Sequence, residues 1–569
     1  MSDDMSSTSE TIRGIDPITF EVLKNAFLNA TEEMAMTIRR AAYSTNIKTR
    51  GDFSCAFFDP DLRCIVQSFA QPGHLTSMKH VVPTSVREYG PGRLGPGDTL
   101  LVNDPHRGAS HLNDVCCIAP VFVGERCMGY LANIAHHVDV GGSTPASLGL
   151  SREIYQEGII LPPIKVVSGG TPNEDMLGLI LENVRAPRET RGDLRAQIGA
   201  NQVGVRRVRE LVSRYSPETA QAFFDELLDY TERWTRREFL ALPQGVYRAD
   251  GYRDDDGFSD EPIYLRVEVE IRDGRMSVDV SGSSPQRAAP INSTRSFTSC
   301  ALAFVAKCLI DQQVVVNEGF YRLIDVKGPD GLIVTAMRPA AVVGGWEVSS
   351  RVAELIFLAL YPVLPDRVPA AGKGIMCNLG FAGHHPARGE FYCYMETVAG
   401  GNGARPTKDG ADAVQTNLHN TENAPIEEVE LNYPIQIARY ELIQDSGGAG
   451  RFRGGLGVRR DFVFPYGDCI FTVMSDGRKF APWGLDGGLP GRPAHFILDP
   501  EGGARELPSK ITLTVPKGGR VSVQTPGGGG YGAPAAREVR HLADDVRTGK
   551  YSAAFVKENF GHDLAAPDQ

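Results

Sequence analysis

Two short segments of the chain concentrate the side chains that most often bind metal ions. VNDPHRGASHLNDV at 102–115 contains two histidines and NIAHHVDVGG at 133–142 contains two more, so four of the twelve histidines lie here. Aspartates accompany them in both segments. Imidazole nitrogen and carboxylate oxygen together bind zinc, manganese or iron, so the segments predict a metal site if the fold brings them together. The alternative is a polar loop whose histidines hydrogen-bond to the backbone.

A β-hairpin would bring the two segments together. The apolar runs VCCIAPVFV and CMGYLANIA flank a Gly-Glu-Arg turn, which is typical of two antiparallel strands. If Val123 pairs with Cys127, Asp114 lies directly opposite His136, with Cβ atoms about 5 Å apart. A two-residue turn would instead pair Asn113 with His136 and place Asp114 on the other face. The sequence leaves both registers open.

The first register predicts a specific set of metal ligands. His111 lies just before the first strand and would join Asp114 and His136 at the open end of the hairpin. Two imidazoles and one carboxylate suit one divalent transition metal, either Zn or Mn, with Fe as a third candidate. Asp52, in RGDFSCAFFD, is a candidate fourth ligand from a neighbouring strand.

Other polar residues of this region are expected around the ligands. His137 and Asp139 would lie in the layer behind them, where a carboxylate commonly orients a metal-bound imidazole. Three further histidines are interpreted as structural or substrate-loop residues: His74, His80 and His106.

The elements that must position these residues follow from the apolar pattern. Asp16-Pro17 is a helix-start signal, and apolar residues at helical spacing predict a long amphipathic helix over 17–43. Short apolar runs from Asp52 to about Val167 predict strands. Amphipathic helices are expected again at about 173–236.

The second half of the chain changes from mixed to mostly β character. After a polar break at 248–262, an alternating segment predicts a hairpin turned at Asp273-Gly274. FTSCALAFVAKCLI and SSRVAELIFLALYPVL predict buried helices, and glycine-rich turns follow from about 430. The expected fold class is therefore α+β, a multi-domain mixed fold with antiparallel sheets, a long N-terminal helix and a mostly β C-terminal region. The predicted divisions are a disordered tail at 1–15, a metal-bearing α+β domain at 16–247, a central α+β domain at 248–429, a β-rich region at 430–533 and a helical segment at 534–569.

The composition excludes several classes of function. A net charge of −11 argues against nucleic acid or an anionic membrane as the main partner. No apolar run approaches the roughly 18–20 residues that cross a bilayer. The N-terminus lacks the pattern of a signal peptide, and the ten cysteines, several in apolar runs, are expected to be reduced. These observations predict a cytoplasmic protein.

The sequence contains no recognisable ATP site or covalent nucleophile. It has no phosphate-binding G-x-x-x-x-G-K-[ST] loop, and no G-x-S-x-G elbow. TPGGGGYG could hold a phosphate through backbone N–H groups, but four consecutive glycines are more often a turn or a close chain crossing. The expected chemistry is metal-assisted, and any nucleotide dependence would come from another chain.

The chain resembles the hydantoinase B/oxoprolinase family over nearly its whole length. The matching segments include DPITFEVLKNAF, RGDFSCAFFD, GDTLLVNDPHRGASHLNDV, AHHVDVGG, EGIILPPIKV, TNLHNTENAPIEEVE, RFRGGLGVRRDF, SDGRKFAPWGLDGGLPG and TPGGGGYG. The family includes ATP-dependent hydantoin and lactam hydrolases, 5-oxoprolinase, and the acetone and acetophenone carboxylases. The order of these segments is specific for the family but says little about the substrate.

The resemblance implies a division of labour between two subunits. A hydantoinase A-type partner would bind ATP and Mg²⁺ and phosphorylate the substrate, and this chain would receive the activated intermediate at a metal. The family's ligand pattern falls on His111, Asp114 and His136, and related amidohydrolase subunits add an upstream aspartate that matches Asp52. A hetero-oligomer of A2B2 or larger composition is expected.

The leading functional hypothesis is ring opening of a cyclic amide, such as a hydantoin or a lactam. His137, or Asp139 acting through it, would move protons as a general base. Glu157 would either position the substrate or have a structural role. The alternative is carboxylation of a ketone, because the same metal ligands would serve both reactions.

Overall fold

The computed structural model describes residues 15–68 and 71–564, so all of the predicted tail except Ile15 lies outside the described residues. In these residues the chain is α+β, with helices packed on mainly antiparallel sheets. None of its helices in the described ranges is both long and apolar enough to cross a membrane.

The two histidine segments belong to an antiparallel sheet whose seven strands, within the described residues, follow the order β2-β1-β5-β4-β3-β6-β7. The strands are β1 (Phe53–Phe58), β2 (Cys64–Gln67), β3 (Thr99–Val102), β4 (Asp114–Val123), β5 (Arg126–His136), β6 (Ile164–Ser168) and β7 (Thr171–Pro172). The helices of this part are α1 (Pro17–Ala41), α2 (Thr45–Lys48), α3 (Pro72–Tyr89), α4 (Glu174–Glu182), α5 (Pro187–Tyr215) and α6 (Pro217–Ala241). Helices α1, α5 and α6 pack on one face of the sheet and α3 packs on the other.

The predicted N-terminal helix is confirmed. Asp16 caps α1 by accepting from the backbone N–H groups of Ile18 and Thr19, and Pro17 occupies its first position. The buried face includes Phe20, Leu23 and Phe27, and these apolar side chains pack against the sheet. Burial of this face holds α1 against strands β1 and β5.

Helix α3 lies within residues 52–167, where the short apolar runs predicted only strands. Pro72 begins this 18-residue helix, and Met78, Val82 and Val86 recur at helical spacing on its buried face. The glycine and proline residues around it gave the segment the appearance of turns between strands. This helix matters for the site because it carries His74 in its first turn.

The β4–β5 hairpin combines both of the registers that the sequence left open. The turn has two residues, since Val123 pairs with Arg126, and a bulge then shifts the pairing so that Val121 faces Gly129. Beyond the bulge, Asp114 pairs with His136. The bulge therefore supplies the one-residue shift that places the carboxylate and the imidazole on the same face.

Gly129 makes this bulge possible. Its φ of +137° is a conformation that L side chains rarely adopt, and a Cβ atom there would lie 2.1 Å from the carbonyl oxygen of Phe58 on β1. Any side chain would therefore clash with the neighbouring strand.

A second sheet, of four strands within the described chain, lies in the order β11-β10-β9-β8. The elements here are β8 (Gly245–Arg253), β9 (Ile263–Arg272), β10 (Arg275–Asp279), β11 (Ile324–Lys327), α7 (Arg295–Cys308), α8 (Glu318–Tyr321) and α9 (Gly345–Leu360). The hairpin predicted at Asp273-Gly274 is confirmed by the pairing of Arg272 with Arg275. Helices α7 and α9 pack together on this sheet in a single apolar core.

Two further sheets share one apolar core in the C-terminal region, which is mostly β as predicted. One sheet contains β12 (Asn378–His384), β13 (Phe391–Thr397), β16 (Cys469–Met474) and β19 (Lys510–Val515). The other contains β14 (Gln436–Leu442), β15 (Val458–Val463), β17 (His495–Leu498), β18 (Arg505–Glu506) and β20 (Arg520–Gln524). The remaining helices are α10 (Ile426–Asn432), α11 (Val539–Arg547) and α12 (Ala553–Phe560).

The TPGGGGYG segment is a close crossing of several chain segments. A Cβ atom at any of Gly527–Gly530 would lie within 2.3 Å of a carbonyl oxygen from another segment. The N–H groups of Gly528, Gly529 and Gly530 donate to the carbonyls of Gly455, Ala371 and Leu489. Because these donors are already satisfied, they do not form a phosphate cradle, and the glycines serve close packing.

Candidate metal centre

Three neighbouring strands of the first sheet carry the predicted ligands, all at the same end of the strands. His136 is the last residue of β5, Asp114 the first of β4, and Asp52 immediately precedes β1. The backbone N–H of His136 donates to the Asp52 carbonyl at 3.0 Å, so Asp52 continues the β1–β5 pairing. All three side chains lie in a row across the sheet, on the face that α3 covers.

His111, Asp114 and His136 converge as the hairpin predicts. One candidate ligand atom from each lies within 4.8 Å of the other two. His136 Nδ1 is 3.1 Å from Asp114 Oδ1, and His111 Nε2 is 3.7 Å from Asp114 Oδ2. Ser110 also donates its hydroxyl to Asp114. Asp114 thus has an imidazole beside each of its oxygens.

His74 is a fifth member of this cluster, although the sequence indicated a structural or substrate-loop residue at this position. Its Nε2 atom lies 3.2 Å from Asp114 Oδ2 and 3.8 Å from Asp52 Oδ1. The side chain reaches the site because α3 begins at Pro72 and lies over the same sheet face. A prediction of α3 as a helix would have placed His74 in its first turn, but only the packing of α3 on the sheet brings it to the cluster.

The cluster is buried, and both burial and the neighbouring charges shift the pKa values of its members. His74 and Asp114 have no exposed surface. Burial lowers the pKa of His111 to about 3, and the neighbouring imidazoles of His136 and His74 act in the same direction. Burial opposes ionisation of Asp114, but the surrounding histidines hold its pKa well below the usual value. For His74, the carboxylates of Asp114 and Asp52 outweigh burial and raise its pKa.

The residues fit a bound divalent cation. Within the described chain, Asp52 Oδ1, which lies 3.8 Å from His74 Nε2, is buried without a hydrogen-bond partner. Buried polar groups are nearly always satisfied, so this unpartnered carboxylate oxygen beside the cluster supports a bound cation. A mixed set of imidazoles and carboxylates is the donor set of zinc, manganese and iron sites.

Residues that are distant in the sequence pack against the histidines of the cluster and cover it. Met395 on β13 places its sulfur 3.0 Å from His136 Nε2. Trp346, in the first turn of α9, lies with its ring 5.7 Å from that of His74 and 6.2 Å from that of His111. The candidate ligands therefore come from the first sheet, with His74 of α3 beside them, whereas the walls come from α9 and β13.

His137 and Asp139 face away from the ligand cluster. His137 Nε2 lies 2.9 Å from the side-chain oxygen of Gln197 on α5, because successive residues of a strand point to opposite faces. Asp139 accepts from the backbone N–H groups of Gly141 and Arg185 and forms an ion pair with the Arg185 guanidinium. The hydrogen bonds of both residues are therefore made with residues outside the ligand cluster.

Glu157 anchors the segment that leads into α9. Its carboxylate accepts from the backbone N–H groups of Val342 and Val343 and from the Ser151 hydroxyl. Trp346 follows only three residues after Val343. Burial raises the pKa of Glu157 to about 7, although the backbone donors favour its charged form.

The chain belongs to the hydantoinase B/oxoprolinase family, whose sequence profile matches residues 16–534. It is 39% identical to an uncharacterized protein of Methanocaldococcus jannaschii, covering 95% of this chain and 94% of that protein. It is 32% identical to the caprolactamase subunit beta of Pseudomonas jessenii, covering 96% of each.

Two solved structures share the fold. The crystal structure of the ATP-dependent caprolactamase from Pseudomonas jessenii matches with a TM-score of 0.90 at 30% identity and covers 98% of both chains. Nucleotide-free acetone carboxylase also matches with a TM-score of 0.90, covering 98% of this chain and 80% of that one. At 20% identity the second likeness shows the fold alone.

Proposed function

We propose that this chain is the metal-binding subunit of an ATP-dependent cyclic amide hydrolase. The observation that carries the proposal is the buried cluster of His111, Asp114 and His136, with Asp52 and His74 at its edge. The 32% identity with a caprolactamase subunit supports a lactam, hydantoin or related ring as the substrate class.

The chemistry of amides explains why such a subunit would need an energy-supplying partner. An amide resists water because its nitrogen donates electrons into the carbonyl group and is a poor leaving group. Phosphorylation of the carbonyl oxygen removes that resonance and makes the carbon electrophilic. We propose that an A-type subunit carries out this step with ATP and Mg²⁺, since this sequence has no phosphate-binding loop of the standard kind.

This chain would then complete the ring opening. Asp52, His111, Asp114 and His136 would hold a zinc, manganese or iron ion, which supplies Lewis-acid polarisation of a carbonyl and acidification of water. The buried walls formed by Met395 and Trp346 would exclude bulk solvent from the activated carbon. Solvent exclusion protects a reactive intermediate from unproductive hydrolysis and strengthens the electrostatic interactions around it.

The contacts of three other residues, which the sequence had suggested as catalytic, support structural roles. His137 is engaged with Gln197, Asp139 with Arg185, and Glu157 with the segment that precedes α9. We propose that they fix the strand ends and the position of Trp346 instead of transferring protons. The ten cysteines are all free, which supports a reducing, cytoplasmic location.

Reconstitution with the partner tests the proposal. The chain would be co-expressed with a hydantoinase A-type subunit, and the purified complex assayed with hydantoins, lactams and ketones in the presence of ATP. We expect ATP consumption coupled to ring opening of a cyclic amide, in a stable complex of A2B2 or larger composition. Mass determination of the intact complex checks the stoichiometry.

Bicarbonate separates hydrolysis from carboxylation. ATP turnover on a cyclic amide that is independent of bicarbonate supports the hydrolase. Turnover that occurs only with a ketone and bicarbonate would overturn it in favour of a carboxylase. A complex that turns over neither class, although the chain binds metal, would also contradict the proposal.

A further inference from the structure

His74 lies between two carboxylates that come from different strands of the first sheet. Its Nε2 atom is 3.2 Å from Asp114 Oδ2 and 3.8 Å from Asp52 Oδ1. Asp52 leads into β1 and Asp114 begins β4, and strand β5 separates these two strands. One imidazole nitrogen of α3 therefore reaches both ends of the row of carboxylates that runs across the sheet.

The surroundings of this nitrogen indicate that it is a hydrogen-bond donor. Within the described residues, Nε2 of His74 makes no hydrogen bond to any other group, and the side chain is fully buried. An ionised carboxylate only accepts hydrogen bonds, so a lone pair on Nε2 would face two negatively charged oxygens. The Nε2–H form occurs in one neutral tautomer and in the imidazolium, so this assignment does not depend on the charge of the ring.

Asp114 Oδ2 then has two donors beside it. The Ser110 hydroxyl donates to the same oxygen that His74 faces. The other oxygen, Oδ1, lies 3.1 Å from Nδ1 of His136. Two donors on one oxygen oppose rotation of the carboxylate about its Cβ–Cγ bond, so Oδ1 stays next to His136.

The first turn of α3 is held in place from two sides. Gln67 of β2 donates its side-chain amide to the carbonyl of Leu75 at 2.6 Å, and the Cys300 thiol of α7 donates to the carbonyl of Gly73 at 3.2 Å. Gly73 and Leu75 are the residues directly before and after His74. The contacts of α3 with β2 and α7 therefore fix the position from which the imidazole reaches the carboxylates.

His74 lies beside the group of atoms that could share one ion, and not within it. Among the described residues, the candidate ligand atoms that all lie within 4.8 Å of one another belong to His111, Asp114 and His136. This arrangement favours an indirect role, in which His74 acts on the ion through the carboxylates.

We propose that His74 is a positioning residue of the metal centre. Its Nε2–H donates to Asp114 and attracts Asp52 through the longer contact, so that carboxylates from two separated strands keep the orientation that binds the ion. Groups that hydrogen-bond to metal ligands commonly set the orientation of those ligands in this way. The inference rests on the metal site of the proposed function, and it assigns His74 to ligand orientation and not to coordination.

Substitution of His74 should weaken metal binding. The dissociation constant Kd for Zn²⁺ is measured on the purified full-length chain by competition with a chromophoric chelator. His74→Phe keeps a ring but removes the donor, and should raise Kd about 10- to 100-fold, the usual effect of losing a hydrogen bond to a metal ligand. His74→Gln carries an N–H at the same number of bonds from Cβ as Nε2 of histidine, and should bring Kd to within about fivefold of the wild type.

His74→Asn and His80→Phe are the matched controls. Asparagine carries the same amide as glutamine but is one methylene shorter, so His74→Asn should bind Zn²⁺ as weakly as His74→Phe. This variant also replaces His74→Phe if the larger ring prevents folding. His80 lies on the same helix and contacts Ser299 outside the cluster, so His80→Phe should change Kd less than about twofold.

X-ray absorption spectroscopy of the zinc-loaded chain separates orientation from coordination. The wild type, His74→Gln and His74→Asn should all show the same number of imidazoles around the ion, those of His111 and His136. One imidazole fewer in both His74 variants would identify His74 as a ligand and overturn the positioning role.

The outcomes separate this inference from the proposed function. If the wild-type chain binds Zn²⁺ and both His74→Phe and His74→Asn keep the wild-type Kd, the positioning role is wrong and the proposed metal-binding subunit stands. If His74→Gln binds as weakly as those two variants, the loss comes from altered packing and not from a missing donor, and the inference also fails. If the wild-type chain binds no divalent metal, the metal site of the proposed function fails, and the positioning role fails with it.

Discussion

At the scale of single residues, Asp114 is the centre of the cluster. An imidazole lies beside each of its carboxylate oxygens, and the side chain is fully buried. A buried carboxylate without compensation is strongly disfavoured, so its ionised state depends on the surrounding histidines and on a bound cation. Loss of the carboxylate, or of an imidazole beside it, should therefore weaken metal binding directly.

Removing ligands should remove the metal. We expect His111→Ala and Asp114→Ala to reduce the metal content of the purified chain, measured by inductively coupled plasma mass spectrometry, to less than about a tenth of the wild type, because zinc-type sites depend on every ligand. His80→Ala is the control, since His80 is a half-buried histidine on α3 that hydrogen-bonds to Ser299 outside the cluster. Unchanged metal content in both ligand variants would show that His111 and Asp114 do not bind the metal.

Glu157 should make stability depend on pH in a direction opposite to that of an ordinary carboxylate. Its folded-state pKa of about 7 lies above the value of 4.5 expected for the unfolded chain, so the folded state binds the extra proton between these limits. This stabilising contribution is complete below pH 4.5 and is lost as the pH rises to about 7. The loss approaches about 1.4 kcal/mol per pH unit within that window.

Comparison with Glu157→Gln isolates this effect. Glutamine keeps an acceptor for Val342 and Val343 but does not titrate, so the melting temperature of the wild type relative to the variant should fall between pH 5 and pH 7. Glu347, whose pKa is also raised to about 7, contributes equally to both proteins and cancels. Parallel melting curves across this range would show that Glu157 is ionised throughout.

At the scale of elements, the sequence predicted the hairpin but not its register. The apolar runs identify two strands, and the turn length alone would have paired Asn113 with His136. The bulge at the Val121–Phe122 step reverses that outcome. It requires a glycine at position 129, because a side chain there would clash with the carbonyl of Phe58, which lies far away in the sequence. Periodicity reports which residues are buried, but it does not report such contacts between strands.

The same limitation explains what was missed at the site. His74 was left outside the cluster because helix α3 was not expected between strands, and its glycine, serine and internal Pro83 obscured its helical pattern. Trp346 and Met395 could not be placed, because their approach depends on the packing of three sheets. The ligand set itself came from local spacing within one hairpin, together with the family resemblance.

Gly129→Ala should disturb the metal centre from a distance. The added methyl group would lie 2.1 Å from the Phe58 carbonyl, so the bulge must shift and the Asp114–His136 pairing with it. We expect metal content to fall at least about fivefold and the melting temperature to fall by roughly 5 °C or more, as for a substitution that costs several kcal/mol.

Gly124→Ala is the matched control in the same hairpin. Gly124 also has a positive φ, of +61°, but a Cβ atom there would meet nothing within 4 Å. The substitution should cost about 1–2 kcal/mol of backbone strain and leave metal content unchanged. Equal metal loss in both variants would mean that general destabilisation, and not register, controls the site.

At the scale of the whole molecule, the centre depends on parts of the chain that are hundreds of residues apart. The ligands belong to the first sheet, Trp346 to α9 and Met395 to β13. Buried ion pairs, such as Arg253 with Glu347 and Asp476, connect the second sheet to the start of α9 and to the end of β16. Closure of the site is therefore a property of the assembled molecule and not of the first sheet alone.

The glycine crossing at 527–530 is another long-range connection within the molecule. Gly528 donates to Gly455 and accepts from Gly448, and its own Cα lies so close to Asn402 that a Cβ would be 2.0 Å from the Asn402 carbonyl oxygen. We expect Gly528→Ala to destabilise the protein by more than about 4 kcal/mol, because backbone segments cannot move apart without breaking these hydrogen bonds. The measurement is the melting temperature, together with the yield of folded protein.

Gly467→Ala is the control that shows whether the destabilisation expected of Gly528→Ala comes from the close packing at the crossing. Gly467 lies in the connection between β15 and β16, and a Cβ atom there would meet nothing within 4 Å. Its substitution should change the melting temperature by less than about 2 °C, the usual range for surface positions. If Gly528→Ala were as stable as Gly467→Ala, the segments could separate without cost. The four glycines would then have to be explained by ligand binding instead of by close packing.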